Sequence, residues 1–431
     1  MSKSKARVKD RISALPDEVL CKVLSCLDIR YAVRTTVLSP RWNNLWTSLP
    51  NLCFCNDYFI DDDAFMTFVD RVLFFRDSSD IKKLFLDFDE PKEEDFSRIE
   101  SWICTAIRRN VVELDLSVNL YPDYKTFELP RSLFTCKTLE VLSLKSNFIA
   151  NPPKSGCFPS LKVLDVLVRY PDHDNSSLGQ IFANCPVLED LRIEGPLGEG
   201  HDVLNFKISA PELKRLTVGL DIDSFDDEKY NFYINAAKLE VFNLSAGDSS
   251  VFSFEINAKS LFKANINLSS CCVHFDSTNG LLEAISDVKQ LSLSTRNLEG
   301  GVPAFDNLNH LELTLGGSTC WRYLIEFLKR SQNLEYLVIK HDCGFKHEDF
   351  TPPEFVPVCM LSHLKTITIA SFKGSQDNMR VAQYLLKYSE VLNKMIFTIS
   401  EGLPSAEEKA LYKEFLMFER GSKTCQVEIY N

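Results

Sequence analysis

No stretch of this 431-residue chain approaches the ~18 consecutive apolar residues of a membrane-spanning helix, so no membrane span is expected. No apolar run follows Met1 either, and no secretory leader is expected. Positive charge is scarce. The chain has 48 Lys and Arg against 60 Asp and Glu, a formal net charge of −12, which makes nucleic acid a poor default partner. The one basic run, Lys3, Lys5, Arg7, Lys9 and Arg11, alternates with other residues; it reads as a solvated terminus, with a weak nuclear import signal as the alternative. The P-loop glycine–lysine pattern and the GxSxG elbow are both missing. What is present is the balance of an ordinary folded protein, 45% apolar and 25% charged residues, long enough for two or three domains or one elongated array. Fourteen cysteines dispersed over such a length, with no leader, are expected to be thiols in the cytoplasm or nucleus.

The segment from Arg11 to Trp46 has the pattern of three short amphipathic helices. Leu15-Pro16-Asp17-Glu18 is a helix start: proline suits the first helical position, and Asp17 and Glu18 place negative charge at the positive end of the helix dipole. Val19, Leu20, Val23, Leu24 and Leu27 follow at helical spacing as one apolar face. A second helix, about Arg30 to Leu38, carries Ala32, Val33, Val37 and Leu38. Ser39-Pro40 then opens a third as N-cap and first residue, with Trp42, Leu45 and Trp46 on it. Three such helices make a core too small to fold unaided, so their apolar surface calls for a neighbour. That neighbour is either the rest of this chain, capped at its N-terminal end, or another protein.

LPDEVL, a Leu-rich helix, and AVRTTVLSPRW with NNLW together resemble the plant F-box motif, here placed at residues 8–54. The resemblance implies that the segment binds a Skp-type adaptor and, through it, a cullin-RING ubiquitin ligase. Leu15, Pro16, Leu20, Val23, Leu24, Val37, Leu38 and Trp42 match family positions that contact the adaptor or hold the helices together. Pro40 departs from the pattern, since relatives usually carry Lys or Arg there; a first-turn proline is benign for the helix but removes a polar contact.

From Ile81 onward a six-residue phrase recurs, apolar-x-x-apolar-x-apolar. Its copies begin at Ile81, Val111, Leu139, Leu161, Leu188, Leu213, Leu239, Leu261, Val288, Leu308, Leu334 and Leu364, 20 to 30 residues apart. One hexamer means little, but twelve at this period mean a leucine-rich-repeat solenoid. Strand alternation sends the fourth and sixth residues of each phrase into the core and the third and fifth outward onto a concave parallel sheet. The stretches between phrases are expected to supply a helix or turn per unit on the convex side. Cys136 and Cys185, three residues before a phrase, and Cys157, four before, are expected to be small buried structural residues.

A partner read by this array would meet the outward positions, among them Asp190, Arg192, Arg215, Asn243, His310 and Tyr336. Plant hormone-sensing F-box proteins hold an inositol phosphate with a Lys/Arg cluster in the solenoid. The charges here are mixed and scattered, and a protein substrate is expected instead.

Asp61 to Arg76 reads as an amphipathic helix with Phe65, Phe68, Val69, Val72 and Leu73 along one side, packed under the first repeat and fixing the helical segment to it. Pro352-Pro353 and Pro357 mark a break before the last section. There a strand around Leu364, a helix near Gln376 to Lys394, the strand KMIFTIS, a capping box Ser405-x-x-Glu408 opening a helix with Leu411, Phe415, Leu416 and Phe418, and the strand CQVEIY follow in order. This region resembles the FBD domain that follows F-box and repeat segments in plant proteins. Met379, Ala382, Leu385, Leu386 and Leu392 form the apolar stripe of its first helix.

Chemistry is thinly represented. His341, Cys343 and His347 can be drawn as a metal set, but the spacing is irregular and no second Cys/His pair completes a tetrahedron. Asp172-His173-Asp174 reads as a solvated loop, and Cys271-Cys272 has no nearby basic partner to mark a nucleophile. The expected architecture is thus α/β: an F-box at 8–54, a connecting helix at 55–80, a horseshoe-like leucine-rich-repeat solenoid at 81–350, and an FBD cap at 351–431. The expected function is that of a non-catalytic substrate receptor of an SCF-type ligase, with no cofactor or metal. The rival is a repeat scaffold that sequesters a protein partner without ubiquitylation.

Overall fold

The computed structural model describes residues 12, 14–119, 127–145, 148–149, 157–167, 181–182, 185–195, 203–220, 229–246, 251–268, 275–295, 298, 301–315, 320–341, 350–372, 376–399, 413–415 and 417–430. The chain divides into two compact units, residues 1–167 with 184–187, and residues 168–183 with 188–431.

In the first unit, helices α1 (Asp17–Leu24) and α2 (Ile29–Arg34) lead through three short 3₁₀ turns directly into strand β1 (Asn51–Cys55). Strands β2 (Lys83–Asp89), β3 (Glu113–Asn119), β5 (Val141–Lys145) and β7 (Val163–Leu167) continue a parallel ladder from β1, while β4 (Phe127–Glu128) and β6 (Phe148–Ile149) pair separately. β1 was not among the twelve phrases, yet Leu49-Pro50-Asn51-Leu52-Cys53-Phe54 is a further copy, with Leu49, Leu52 and Phe54 buried and the strand starting at its third residue; it pairs in register with β2, Asn51 opposite Lys83. Helix α3 (Asp62–Phe75) forms as expected, capped by Asp61 accepting from the Ala64 amide at 2.7 Å. Its buried side is Phe65, Met66, Val69, Val72 and Leu73, with Phe68 only half covered. Helix α4 (Phe96–Arg108) follows, burying Ile99, Trp102, Ile103 and Ala106 at three- and four-residue spacing. It stops at Asn110, whose φ of 57° is the left-handed turn that lets the Val111 amide reach Ala106 O at 3.1 Å.

The second unit continues the same logic with β8 (Asp190–Gly195), β10 (Arg215–Leu220), β12 (Val241–Ala246), β14 (Lys263–Leu268), β15 (Gln290–Thr295), β16 (His310–Leu315), β17 (Tyr336–His341), β18 (Thr366–Phe372), β19 (Lys394–Ile399) and β20 (Gln426–Tyr430), all parallel. Across the two units every phrase places the first residue of its strand at its own third position, and third positions of paired strands face one another: Lys83 opposite Glu113, Asp190 opposite Arg215, His310 opposite Tyr336. The first, fourth and sixth residues of all twelve phrases are inside, none more than 9% exposed. A one-residue slip would turn that whole set outward, which is why the register holds over so many strands.

Between the phrases the chain departs from the expected helices and turns. β9 (Val203–Ser209), β11 (Lys229–Asn235) and β13 (Val251–Asn257) form a second, three-stranded parallel sheet. Phe206, Phe232 and Phe254 stack down it with centroids 5.0 and 4.8 Å apart, and Asn231 donates to Asn205 Oδ1 at 3.0 Å. The position three residues before the phrase stays small and buried in many units, as Cys136, Cys185, Ala210, Ala236 and Ser331. Burial pushes the Cys185 thiol up to about 12, which suits a packing role and not a nucleophile.

Near the C-terminus the ladder passes residue 351 without a break, since β17, β18 and β19 pair in sequence. The helix expected over Gln376 to Lys394 ends at Tyr388, because Lys394 already begins β19. Val381, Ala382, Tyr384, Leu385 and Leu386 are its buried side, and Met379 is only half covered. Phe415 is buried against Phe397 (4.0 Å between centroids) and Phe372 (5.2 Å). Ser405, Glu408, Leu411 and Leu416 lie outside the described residues.

Candidate functional site

The N-terminal helices divide their apolar residues between two sides. Pro16 is the N-cap of α1 and not its first residue: its ψ of 151° is extended, and the helix begins at Asp17. Leu20 and Leu24 point inward at 0% and 1% exposure, whereas Leu15, Val19, Val23 and Leu27 lie outside at 36 to 48%. Val19 and Val23, one turn apart, form an outer row about 100° around α1 from Leu20 and Leu24, and Leu15 and Leu27 are exposed just beyond its two ends. The single apolar face expected from the spacing is therefore two stripes. Burial alone separates them, since both obey helical periodicity.

Beyond α1, Asp28 caps α2 by accepting from the Arg30 amide at 2.8 Å, with Ile29 and Ala32 buried. The third segment is a 3₁₀ helix, Pro40–Asn44, with Pro40 in its first turn and Ser39 extended before it; the Ser39 side chain makes no capping bond. Trp42, Leu45 and Trp46 are buried (3%, 6% and 7%), so the tryptophans expected to need another surface find it within this chain. Val37 and Leu38 stand out at 85% and 62%. Arg41 closes the arrangement, donating from Nε to Asp17 Oδ1 at 2.8 Å. Of the eight residues carried over from the F-box pattern, Leu15, Pro16, Val23, Val37 and Leu38 are at the surface, while Leu20, Leu24 and Trp42 are inside and hold the helices together. Val19 and Leu27 belong with the outer set and were not singled out.

The outward positions of the second unit separate into pairs. Asp190 on β8 accepts from Arg215 on β10, and Arg192 turns along its own strand to Glu194. Asn243 donates to Thr217 Oγ1 at 3.0 Å and accepts from Asn265 at 2.6 Å, a ladder across three strands. His310 and Tyr336 stack at 6.0 Å with 26° between rings; Tyr336 is 43% exposed, and burial holds His310 below its ordinary pKa. All six are on strand positions facing away from the core, but they do not form one cluster: β12, β14 and β15 separate the Asp190–Arg215 pair from the His310–Tyr336 pair. Most charge on this face is already neutralised by neighbours, as Glu312 is by Lys340.

Among the described residues, no group of three or more His, Cys, Asp or Glu is arranged to hold a metal, and no helix is long and apolar enough to cross a membrane. His341 ends β17, while Cys343, His347, Asp172 to Asp174, Cys271 and Cys272 lie outside the described residues.

Residues 72–422 match the At1g61320/AtMIF1 LRR domain family, and residues 12–54 match the F-box domain. The FBD-associated F-box protein At4g10400 of Arabidopsis thaliana is 32% identical over 430 residues, covering 97% of this chain and 99% of the relative. The F-box/FBD/LRR-repeat protein At5g56420 of the same plant is 30% identical over 433 residues, 97% of this chain and 98% of its own length. F-box/LRR-repeat protein 13, also from Arabidopsis thaliana, is 32% identical over 444 residues, 97% and 96%.

Proposed function

Since the chain belongs to the F-box/FBD/LRR-repeat family, we propose that it is the substrate-recognition subunit of an SCF-type ubiquitin ligase. In this reading the N-terminal helices dock on a Skp-type adaptor, which links them to a cullin, and the outward face of the repeat strands takes a protein substrate. The chain contributes no catalytic group, and ubiquitin transfer belongs to other subunits.

One observation carries the docking half. The helical segment has its own interior, built from Leu20, Leu24, Ile29, Ala32, Trp42 and Trp46, and still leaves Leu15, Val19, Val23, Leu27, Val37 and Leu38 in solvent. Exposed Leu and Val gathered on one short helical segment cost solubility and contribute nothing to the fold, so their use lies in an interface. The buried three of the eight, Leu20, Leu24 and Trp42, act beneath that surface by fixing the helices that display it.

The substrate half is supported by the open strand face, on which Asp190, Arg192, Arg215, Asn243, His310 and Tyr336 are the proposed contacts. Because so many of its charges are mutually paired, the His310–Tyr336 stack, with Tyr336 exposed and His310 half-buried, is the stronger anchor there; aromatic side chains with a polar edge dominate protein interfaces. The proposed location is the cytoplasm or nucleus, where the ten free cysteines among the described residues remain thiols. Titration of the purified chain with a purified Skp-type adaptor tests the reading: a 1:1 complex is expected, and no binding at adaptor concentrations up to 100-fold over the chain refutes it.

A further inference from the structure

The turn after β1 is an exposed knuckle on a rigid mount. Tyr58 is 64% exposed and Ile60 fully exposed, an unusual place for an aromatic and a β-branched residue. Their backbone is held from three sides. Asn56 exchanges two hydrogen bonds with the Asp89 backbone, both at 3.2 Å, which fixes the turn to the end of β2. Phe59, between the two exposed residues, packs inward at 5.3 Å from both Phe65 and Phe68 of α3. The Arg30 guanidinium of α2, itself ion-paired to Asp28, lies 4.1 Å above the Tyr58 ring.

The same guanidinium is 5.4 Å from the ring of Tyr31, an exposed residue of α2. Arg30 therefore joins the knuckle to α2 of the helical segment, and Tyr31, Tyr58 and Ile60 stand exposed around it. Charge supplies a second feature. Asp57 and Asp63 flank the knuckle, both exposed, and neither makes an ion pair among the described residues. An apolar tip between two open carboxylates fits a partner offering an apolar socket with Lys or Arg at its rim.

We propose that the Tyr58–Ile60 knuckle is a second contact point for the Skp-type adaptor, continuous with the F-box face through Arg30 and Tyr31. This rests on the adaptor-binding reading above and adds to it. An adaptor gripped at both the α1 row and a turn hydrogen-bonded to β2 is held in a fixed orientation to the first repeat strands, which sets the direction in which the ligase is presented.

Calorimetric titration of the full chain with the purified adaptor tests it. Ile60→Ala, at a fully exposed position, leaves folding untouched; Ile60→Ala with Tyr58→Ala is expected to weaken binding about thirtyfold, the loss of two contacts worth about 1 kcal/mol each. Asp57→Asn with Asp63→Asn is expected to flatten the salt dependence of the affinity. Wild-type affinity in both Ile60→Ala and the double alanine variant, alongside loss of binding in Val19→Asp with Val23→Asp, overturns the knuckle contact and leaves the F-box contact standing. Failure of the unaltered chain to bind the adaptor overturns both.

Discussion

Arg76 donates from Nη1 to the carbonyl oxygen of Leu49 at 2.5 Å, from a side chain only 6% exposed. The same guanidinium reaches Asp80 O at 3.4 Å and Ser79 Oγ at 3.5 Å, so one buried cation ties the end of the helical segment to the start of the first leucine phrase. Burial pushes its pKa below the ordinary arginine value, the mark of a charge held where water is scarce. Removing it leaves the Leu49 carbonyl without its donor and opens a gap between α3 and β1. Arg76→Ala is expected to lower stability by about 2–3 kcal/mol, the scale of a lost charged hydrogen bond, read from the midpoint of urea unfolding.

The two stripes of α1 predict opposite phenotypes from neighbouring residues. Val19→Asp with Val23→Asp changes only exposed positions, so circular dichroism and thermal midpoint should stay as in the wild type while adaptor affinity falls at least 100-fold. Leu20→Ala empties a fully buried site and is expected to cost about 2–5 kcal/mol of stability of the helical segment. Equal thermal losses in the two variants would contradict the division of the helix.

His310 carries a pH dependence of known sign. Its pKa lies below the ordinary 6.5, chiefly through burial, with Lys263 acting the same way and Glu312 against it. The unfolded chain therefore binds the proton more readily, and the stability associated with neutral His310 is present above pH 6.5 and is lost as pH falls below it. His310→Gln should reduce the slope of stability against pH in the window just below 6.5, measured by urea unfolding at half-unit pH steps.

Gly421 has no room for a side chain. A Cβ there would sit 2.5 Å from Lys387 O and 3.2 Å from Ser389 O, beside the bond from the Gly421 amide to Leu386 O at 2.9 Å. Gly421→Ala is expected to displace the segment leading into β20 at a cost of about 1–3 kcal/mol. Hydrogen exchange should accelerate at Gln426–Tyr430 amides while Lys83–Asp89 amides keep their protection.

Much of the fold could be read before any coordinates. Each leucine phrase starts its strand two residues in, because alternation and a fixed period leave one register that buries Leu114 with Leu116 or Leu311 with Leu313. The three-stranded second layer was missed. VLNFKIS, KYNFYIN and VFSFEIN alternate as strands do, but each lies between stronger phrases, and their Phe and Asn ladders exist only when three repeats stack. β1 escaped for a different reason: its hexamer, with Leu49, Leu52 and Phe54 buried, falls inside the segment read as the F-box and 32 residues ahead of Ile81.

The sequence by itself determined the architecture, since amphipathic helical spacing and a repeating inward Leu pattern each have one way to hide their apolar faces. It also determined the identity of the N-terminal motif, through residues whose order is specific. Only the tertiary structure decided which apolar residues were free to bind. Leu20 and Val19 have the same chemistry and adjacent positions, and periodicity cannot rank them. Trp42 and Trp46 settle the matter by filling the interior with Leu20 and Leu24, leaving Leu15, Val19, Val23 and Leu27, and the Tyr58–Ile60 knuckle, in solvent.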